Sequence, residues 1–229
     1  SKSGVRVSEI EAVGITSQRE TTLLWERETH KPLYNAIVWQ CRRTAPLIER
    51  LKRDGLGNVV RDRTGLIPDA YFSGTKLQWL LDTVPNARVR AERGELCFGT
   101  VDSFLANRLC AGHPHVTDAT NAARTMLYNI YEPRWDDALL RAMDIPAQVL
   151  PKVVDTSGVV GMLDKRVLGR EIPVAALVGD QQAALFGHGC FAPGMSKNTY
   201  GTGCFLLMNT GLHPVKSVSD LITTIAWQL

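Results

Sequence analysis

Residues 174–187 read Val-Ala-Ala-Leu-Val-Gly-Asp-Gln-Gln-Ala-Ala-Leu-Phe-Gly, and this run constrains the fold more than any other. Five apolar residues predict a buried strand, Gly179 a tight turn, and Gln181 to Gly187 the first turns of a helix packed back on the sheet. A strand–turn–helix unit of this kind belongs to α/β folds. It sets a carboxylate at the carboxyl edge of a sheet, where open α/β folds keep their ligands. Asp180 falls at the N-cap position, and taken alone it is simply a cap. Its company elsewhere in the chain decides whether it is more.

The 229 residues suffice for one large α/β domain or one and a half small ones. A net charge of +3 is too small to argue for nucleic acid or an anionic membrane as partner. No apolar run approaches a membrane span, and no signal peptide opens the chain. The five cysteines lack metal-ligand spacing and are odd in number, which suits free thiols in a reducing, cytoplasmic setting. The chain opens without Met on a strand-like segment and closes on another, residues 221–227. A terminal strand leaves an apolar edge unpaired, so an internal piece of a longer protein is expected.

In chain order, strands are expected at 10–16, 21–26 and 35–39. The first two are joined by Ser17-Gln18-Arg19-Glu20. Neighbours in a strand point to opposite faces, so Arg19 and Glu20 can share a ligand only from an irregular connection. The simpler local reading is a surface hairpin with two solvated charges. Trp39 reads as core or as the apolar wall of a pocket. A helical stripe covers 43–53, and a Gly/Pro-rich loop over 65–74 leaves Tyr71 free to lean over a cleft. Further helices are expected at 75–82, 88–93, 101–110 and 135–143, with a short strand at 95–98. Residues 116–128, dense in hydroxyls and amides, read as a polar structural network in preference to part of a pocket floor. Residues 151–172 read as a small hairpin or excursion, with a charged loop over 164–171. A domain boundary is expected near 190, dividing the chain into 1–190 and 191–229. Residues 197–209 read as a hairpin turning at Gly201-Thr202-Gly203.

Arg19, Glu20, Tyr71, Asp180 and Gln181 together offer both donors and acceptors, a mixture that suits an uncharged polyol. Trp39 or Phe205 could face its C–H groups. The turn at 201–203 could bring backbone N–H groups to phosphate oxygens, although such a turn alone is a weak signal. No Walker-type loop, Ser-His-Asp set or His-Glu-x-x-His motif is present.

Seven segments together (14–22, 34–44, 71–76, 94–102, 124–127, 179–187 and 197–205) resemble the FGGY carbohydrate kinases, in register through almost the whole chain, and within that family the members that act on glycerol. The resemblance implies the actin-like (ribonuclease H-like) ATPase fold: most of a first lobe, residues 1–190, and the beginning of a second. It implies ATP and Mg²⁺ as cofactors and transfer of phosphate to a terminal hydroxyl of glycerol. Arg19, Glu20, Tyr71 and Gln181 then hold hydroxyls, Asp180 is the general base as well as a substrate contact, and Trp39 and Phe205 pack on the carbons. Thr202 and Gly203 contact the nucleotide. Homo-oligomers are common in the family. The family's first phosphate motif, Asp-Gln-Gly-Thr-Thr, is not in this sequence, and the resemblance therefore implies that these 229 residues alone lack kinase activity. The glycine-rich loop that binds fructose 1,6-bisphosphate in many bacterial members is replaced by 164–171. Two other readings stand beside this one: a kinase of the same family for another polyol or sugar, and a non-catalytic lobe or actin-like structural protein.

Overall fold

The computed structural model describes residues 4–219 and 221–229. A short 3-10 turn at Val7–Glu9 precedes β1 (Val13–Ser17) and β2 (Leu23–Glu26). Four helices follow: α1 (Ala45–Arg53), α2 (Gly57–Thr64), α3 (Ser73–Thr83) and α4 (Ala87–Glu92). Next come β3 (Leu96–Gly99), α5 (Val101–Leu109), β4 (Val116–Asp118), α6 (Ala119–Ala122), β5 (Tyr128–Asn129), β6 (Arg134–Trp135) and α7 (Asp137–Ala142). The chain continues through β7 (Lys152–Val154), β8 (Ser157–Met162), α8 (Lys165–Leu168), β9 (Pro173–Gly179) and α9 (Asp180–Gly187). It then forms the hairpin β10 (Ser196–Tyr200) and β11 (Cys204–Met208).

β9 lies at the centre of a three-stranded sheet, with β1 parallel on one side and β8 antiparallel on the other. Val174 and Leu177 of β9 are buried with Ile15, Ala106, Cys110 and Ile172, so α5 covers this sheet. A second and larger core joins α1 to α4 to the β2–β3 pair, with Leu24, Phe98, Leu77 and Leu80 among its buried members. The polar stretch 116–128 has the expected structural role at Asp118, while Arg124 in the same stretch reaches a cavity floor through Glu20. Asp118 accepts from Thr120 Oγ1 (2.9 Å), Asn121 N (3.0 Å) and Thr156 Oγ1 (2.8 Å) in the interior.

Several expectations are corrected. Asp180 is the first residue of α9, not its cap; Gly179 holds that position with extended backbone. The first two strands do not pair with each other: β1 pairs β9, and β2 pairs β3. The 17–20 connection is no surface hairpin, because Arg19 and Glu20 are buried. Residues 35–39 form only a bridge, Ile37 to Thr22, with Val38 exposed and Trp39 on the wall of a cavity. Residues 151–172 are not a hairpin. β7 pairs in parallel with β4 and β8 pairs with β9, so consecutive strands serve different sheets. The charged loop carries the short helix α8, begun by the Asp164 side chain accepting from Arg166 N. Residues 221–227 form no strand. The segment crosses the domain singly, Thr223 N donating to Gly65 O (2.9 Å) and Thr156 N to Gln228 O (2.8 Å). Helix α2 had no counterpart in the sequence reading, since its only strong apolar signal is Val59-Val60. Among the described residues no helix is long and apolar enough to cross a membrane.

Candidate active site

The parallel pairing of β1 with β9 creates the site. Ser17 stands opposite Gly179 at the carboxyl ends of both strands. The chain therefore leaves the sheet twice at one edge, once into Gln18-Arg19-Glu20 and once into Asp180-Gln181. Glu20 has φ 60°, a left-handed conformation that a glutamate adopts only when its surroundings enforce it. That kink lets adjacent Arg19 and Glu20 reach one space, which a regular strand forbids.

All nine residues singled out from the sequence line a single cavity of about 190 Å³: Arg19, Glu20, Trp39, Tyr71, Asp180, Gln181, Thr202, Gly203 and Phe205. Gln18, Thr199 and Gly201 complete its wall. The volume is below the range usual for drug-sized ligands, so it suits a small molecule. Trp39 and Tyr71 meet edge to face at 5.5 Å, and Phe205 lies 5.9 Å below the Arg19 guanidinium. Apolar rings thus flank a polar floor.

The floor alternates in charge. Arg124 Nε donates to Glu20 Oε1 at 2.6 Å, Glu20 Oε1 lies 3.9 Å from Arg19 Nε, and Arg19 Nε lies 3.3 Å from Asp180 Oδ1. The first three side chains are almost wholly buried, whereas that of Asp180 is 42% exposed and open to the cavity. Burial, followed by the neighbouring Arg124, lowers the pKa of Arg19, which remains a cation. Burial raises the Tyr71 phenol, with Glu20 adding to it, and so keeps it a neutral donor. Arg19 Nη1 donates to Gln182 Oε1 (3.1 Å), while its Nε makes no hydrogen bond among the described residues. That N–H is held only by the ion pair with Asp180, so a ligand oxygen could complete its hydrogen bonding.

Four residues outside the sequence-derived set support this floor. Arg124 pairs with Glu20 across 104 positions, and Gln182 anchors Arg19 across 163. Lys197, buried, donates to Gln181 Oε1 and to Thr199 Oγ1 (2.7 Å). Since an ammonium can only donate, Gln181 Oε1 must face Lys197 and its Nε2 the other way, 3.4 Å from Asp180 Oδ2. Lys76 lies beneath Glu20. All four occur in the segments carrying the resemblance, but no local spacing marks a partner in a distant segment.

The site stands at a sheet edge, its carboxylate on a helix start opposite a glycine turn, in a mixed α/β chain of the actin-like ATPase fold that the FGGY kinases share. Residues 1–187 match the FGGY family of carbohydrate kinases, N-terminal domain, and the chain belongs to that family. It is 57% identical over 226 residues to the glycerol kinase of Thermoanaerobacter sp. (strain X514), an alignment covering 99% of this chain and 46% of that protein. It is 60% identical over 227 residues to the glycerol kinase of Aromatoleum aromaticum, with the same coverage of each. The fold matches the crystal structure of Plasmodium falciparum glycerol kinase with ADP at a TM-score of 0.92 and 36% identity, covering 96% of this chain and 44% of that one. The chain thus spans about half the length of the curated relatives it matches.

Proposed function

We propose that this chain carries the substrate-binding half of an ATP-dependent kinase that phosphorylates glycerol at a terminal hydroxyl, giving glycerol 3-phosphate. The observation that carries the reading is the convergence of Arg19, Glu20, Tyr71, Asp180 and Gln181 on one small cavity flanked by Trp39 and Phe205. Arg19 and the Tyr71 phenol donate to glycerol oxygens, and the Gln181 amide donates through Nε2. Glu20 and Asp180 accept hydrogen bonds from glycerol hydroxyls. The two rings cover the carbons. Such a site rejects analogues lacking a hydroxyl, because its buried polar groups would be left unpaired.

Asp180 is the general base. It is open to the cavity, and Arg19 fixes its orientation through Oδ1. Transfer passes through a loose transition state, so reach and alignment of the hydroxyl matter more than a raised pKa. Thr202 and Gly203 lie on the cavity wall with Asp180, and their turn cradles the phosphate oxygens of the nucleotide. Among the described residues no cluster of three His, Cys, Asp or Glu could cage a metal. A Mg²⁺ that arrives on nucleotide phosphates needs only one or two carboxylates and no such cage. Bound Mg²⁺–ATP supplies the phosphoryl group and neutralises its developing charge.

Residues 1–190 form the substrate lobe in this reading, and 191–229 begin the nucleotide lobe. The full-length enzyme works in the cytoplasm as a homo-oligomer. The testing experiment measures ADP release by the full-length protein with ATP, Mg²⁺ and either glycerol or four- and five-carbon polyols and ketoses. Turnover preferring glycerol is expected. Preference for a pentulose would move the protein to another branch of its family.

A further inference from the structure

Lys76 is fully buried in α3, yet among the described residues no carboxylate bonds its ammonium. Its Nζ donates to two backbone carbonyls, that of Tyr71 at 2.6 Å and that of Glu20 at 3.2 Å. The Glu20 carbonyl also accepts from Thr22 Oγ1 (3.1 Å) and Ser73 Oγ (3.1 Å). Three side chains thus hold one carbonyl, and it belongs to the residue whose left-handed backbone aims both Arg19 and Glu20 into the cavity.

Burying a cation this way is costly. Desolvation takes the Lys76 pKa down to about 8, against the smaller pull of Glu20, Cys41 and Asp69, with Arg42 adding to the decrease. An apolar residue of similar length would fill the same space without that cost. What it could not do is bridge two carbonyls.

We propose that Lys76 is a positioning residue of the polyol site, tying the Glu20 and Tyr71 main chains together so that the carboxylate and the phenol face the same ligand. Lys76 touches no substrate and acts through these two residues. The proposal rests on the polyol reading given above. Lys76 closes segment 71–76 of the family resemblance, but the sequence alone gives it no role in the site. Its role follows only from the fold, which brings residues 20 and 71 over the first turn of α3.

The experiment is a double-mutant cycle in the full-length protein, reading glycerol Kd by calorimetry and KM and kcat by ADP release. Lys76→Met is expected to fold and to raise KM and Kd about ten-fold or more, since small misplacements at a site have effects of that order. The loss in kcat should be smaller. Ser73→Ala, removing one of the three donors and leaving Tyr71 held, should raise KM by only about two- to three-fold, as for a single neutral hydrogen bond. In a Tyr71→Phe background the effect of Lys76→Met should shrink, because the contact it positions is gone. A general packing role would leave the two effects additive. If Lys76→Met does not fold, Lys76→Leu, which likewise has no donor, replaces it in the same cycle. Folded Lys76 variants with unchanged glycerol affinity, or strict additivity with Tyr71→Phe, would overturn the proposal. Failure of the underlying reading shows differently, as no glycerol affinity in the wild type.

Discussion

Arg19 Nε lies 3.3 Å from Asp180 Oδ1 although 161 positions separate the residues, because parallel strands β1 and β9 end side by side. This contact orients the carboxylate assigned as the base. Asp180→Asn keeps its shape and an acceptor oxygen but cannot take a hydroxyl proton. In the full-length enzyme kcat should fall by roughly 10³-fold, within the range for loss of a general base, while glycerol Kd changes little. Parallel losses in kcat and binding would make Asp180 a binding residue only.

Gly179 is required for close approach, not for backbone freedom, since its φ is an ordinary −65°. A Cβ there would stand 2.7 Å from Arg19 Cδ and 3.0 Å from Gln182 Oε1. Gly179→Ala should therefore displace Arg19. It should cost about 1–3 kcal/mol of stability, as overpacking does, and weaken glycerol binding more than Ala substitution at the uncrowded Gly187. Chemical denaturation and calorimetry on both variants check this.

Glu20 and Arg124 form a pair whose side chains are 2% and 4% exposed. Breaking such a pair leaves an uncompensated buried charge, so Arg124→Met should destabilise by about 3 kcal/mol. Adding Glu20→Gln should recover part of the loss. Urea denaturation of the wild type, both single variants and the double variant measures the coupling. An Arg124→Met cost below the error of the method would mean that Arg19 alone compensates Glu20.

Two buried groups should impose opposite pH dependences on stability. Burial raises Asp102 from 3.8 to about 6, with Asp118 adding to it, while its oxygens accept from Thr100 and Thr117. Its contribution is fully present below pH 3.8 and is lost as pH rises through 6. Burial lowers His115 from 6.5 to about 4. The unfolded chain then binds the proton more readily, so this contribution is present above pH 6.5 and is lost as pH falls toward 4. Each shift corresponds to about 3 kcal/mol. Between pH 4 and 7, the stability of Asp102→Asn relative to wild type should rise, and that of His115→Gln should fall. Differences of the same sign would contradict these assignments.

What the sequence disclosed follows from the range of the interactions concerned. The 174–187 unit, the 197–209 hairpin and helices α1, α3 and α5 are fixed by periodicity and turn residues within a dozen positions. The pairing of β1 with β9 is not, and so the 17–20 connection looked locally like a surface hairpin. The nine cavity residues could be named because the family resemblance implies a ligand role for each of them. Arg124, Gln182, Lys76 and Lys197 could not be given roles, since each is defined by a contact to a distant segment or by burial that only the fold creates. The strand expected at 221–227 has the right residue types, but its backbone bonds to Gly65 and Thr156 instead of to a neighbouring strand.

The central claim is that the cavity between Arg19 and Phe205 is a glycerol site with Asp180 at the reacting hydroxyl. A crystal structure of the protein with glycerol tests it most directly. The account predicts glycerol in this cavity, with one terminal oxygen within hydrogen-bond reach of the Asp180 carboxylate, the other oxygens on Arg19, Glu20 and Tyr71, and the carbons against Trp39 and Phe205. Glycerol absent from the cavity at saturating concentration, or bound there with every hydroxyl beyond reach of Asp180, would contradict it.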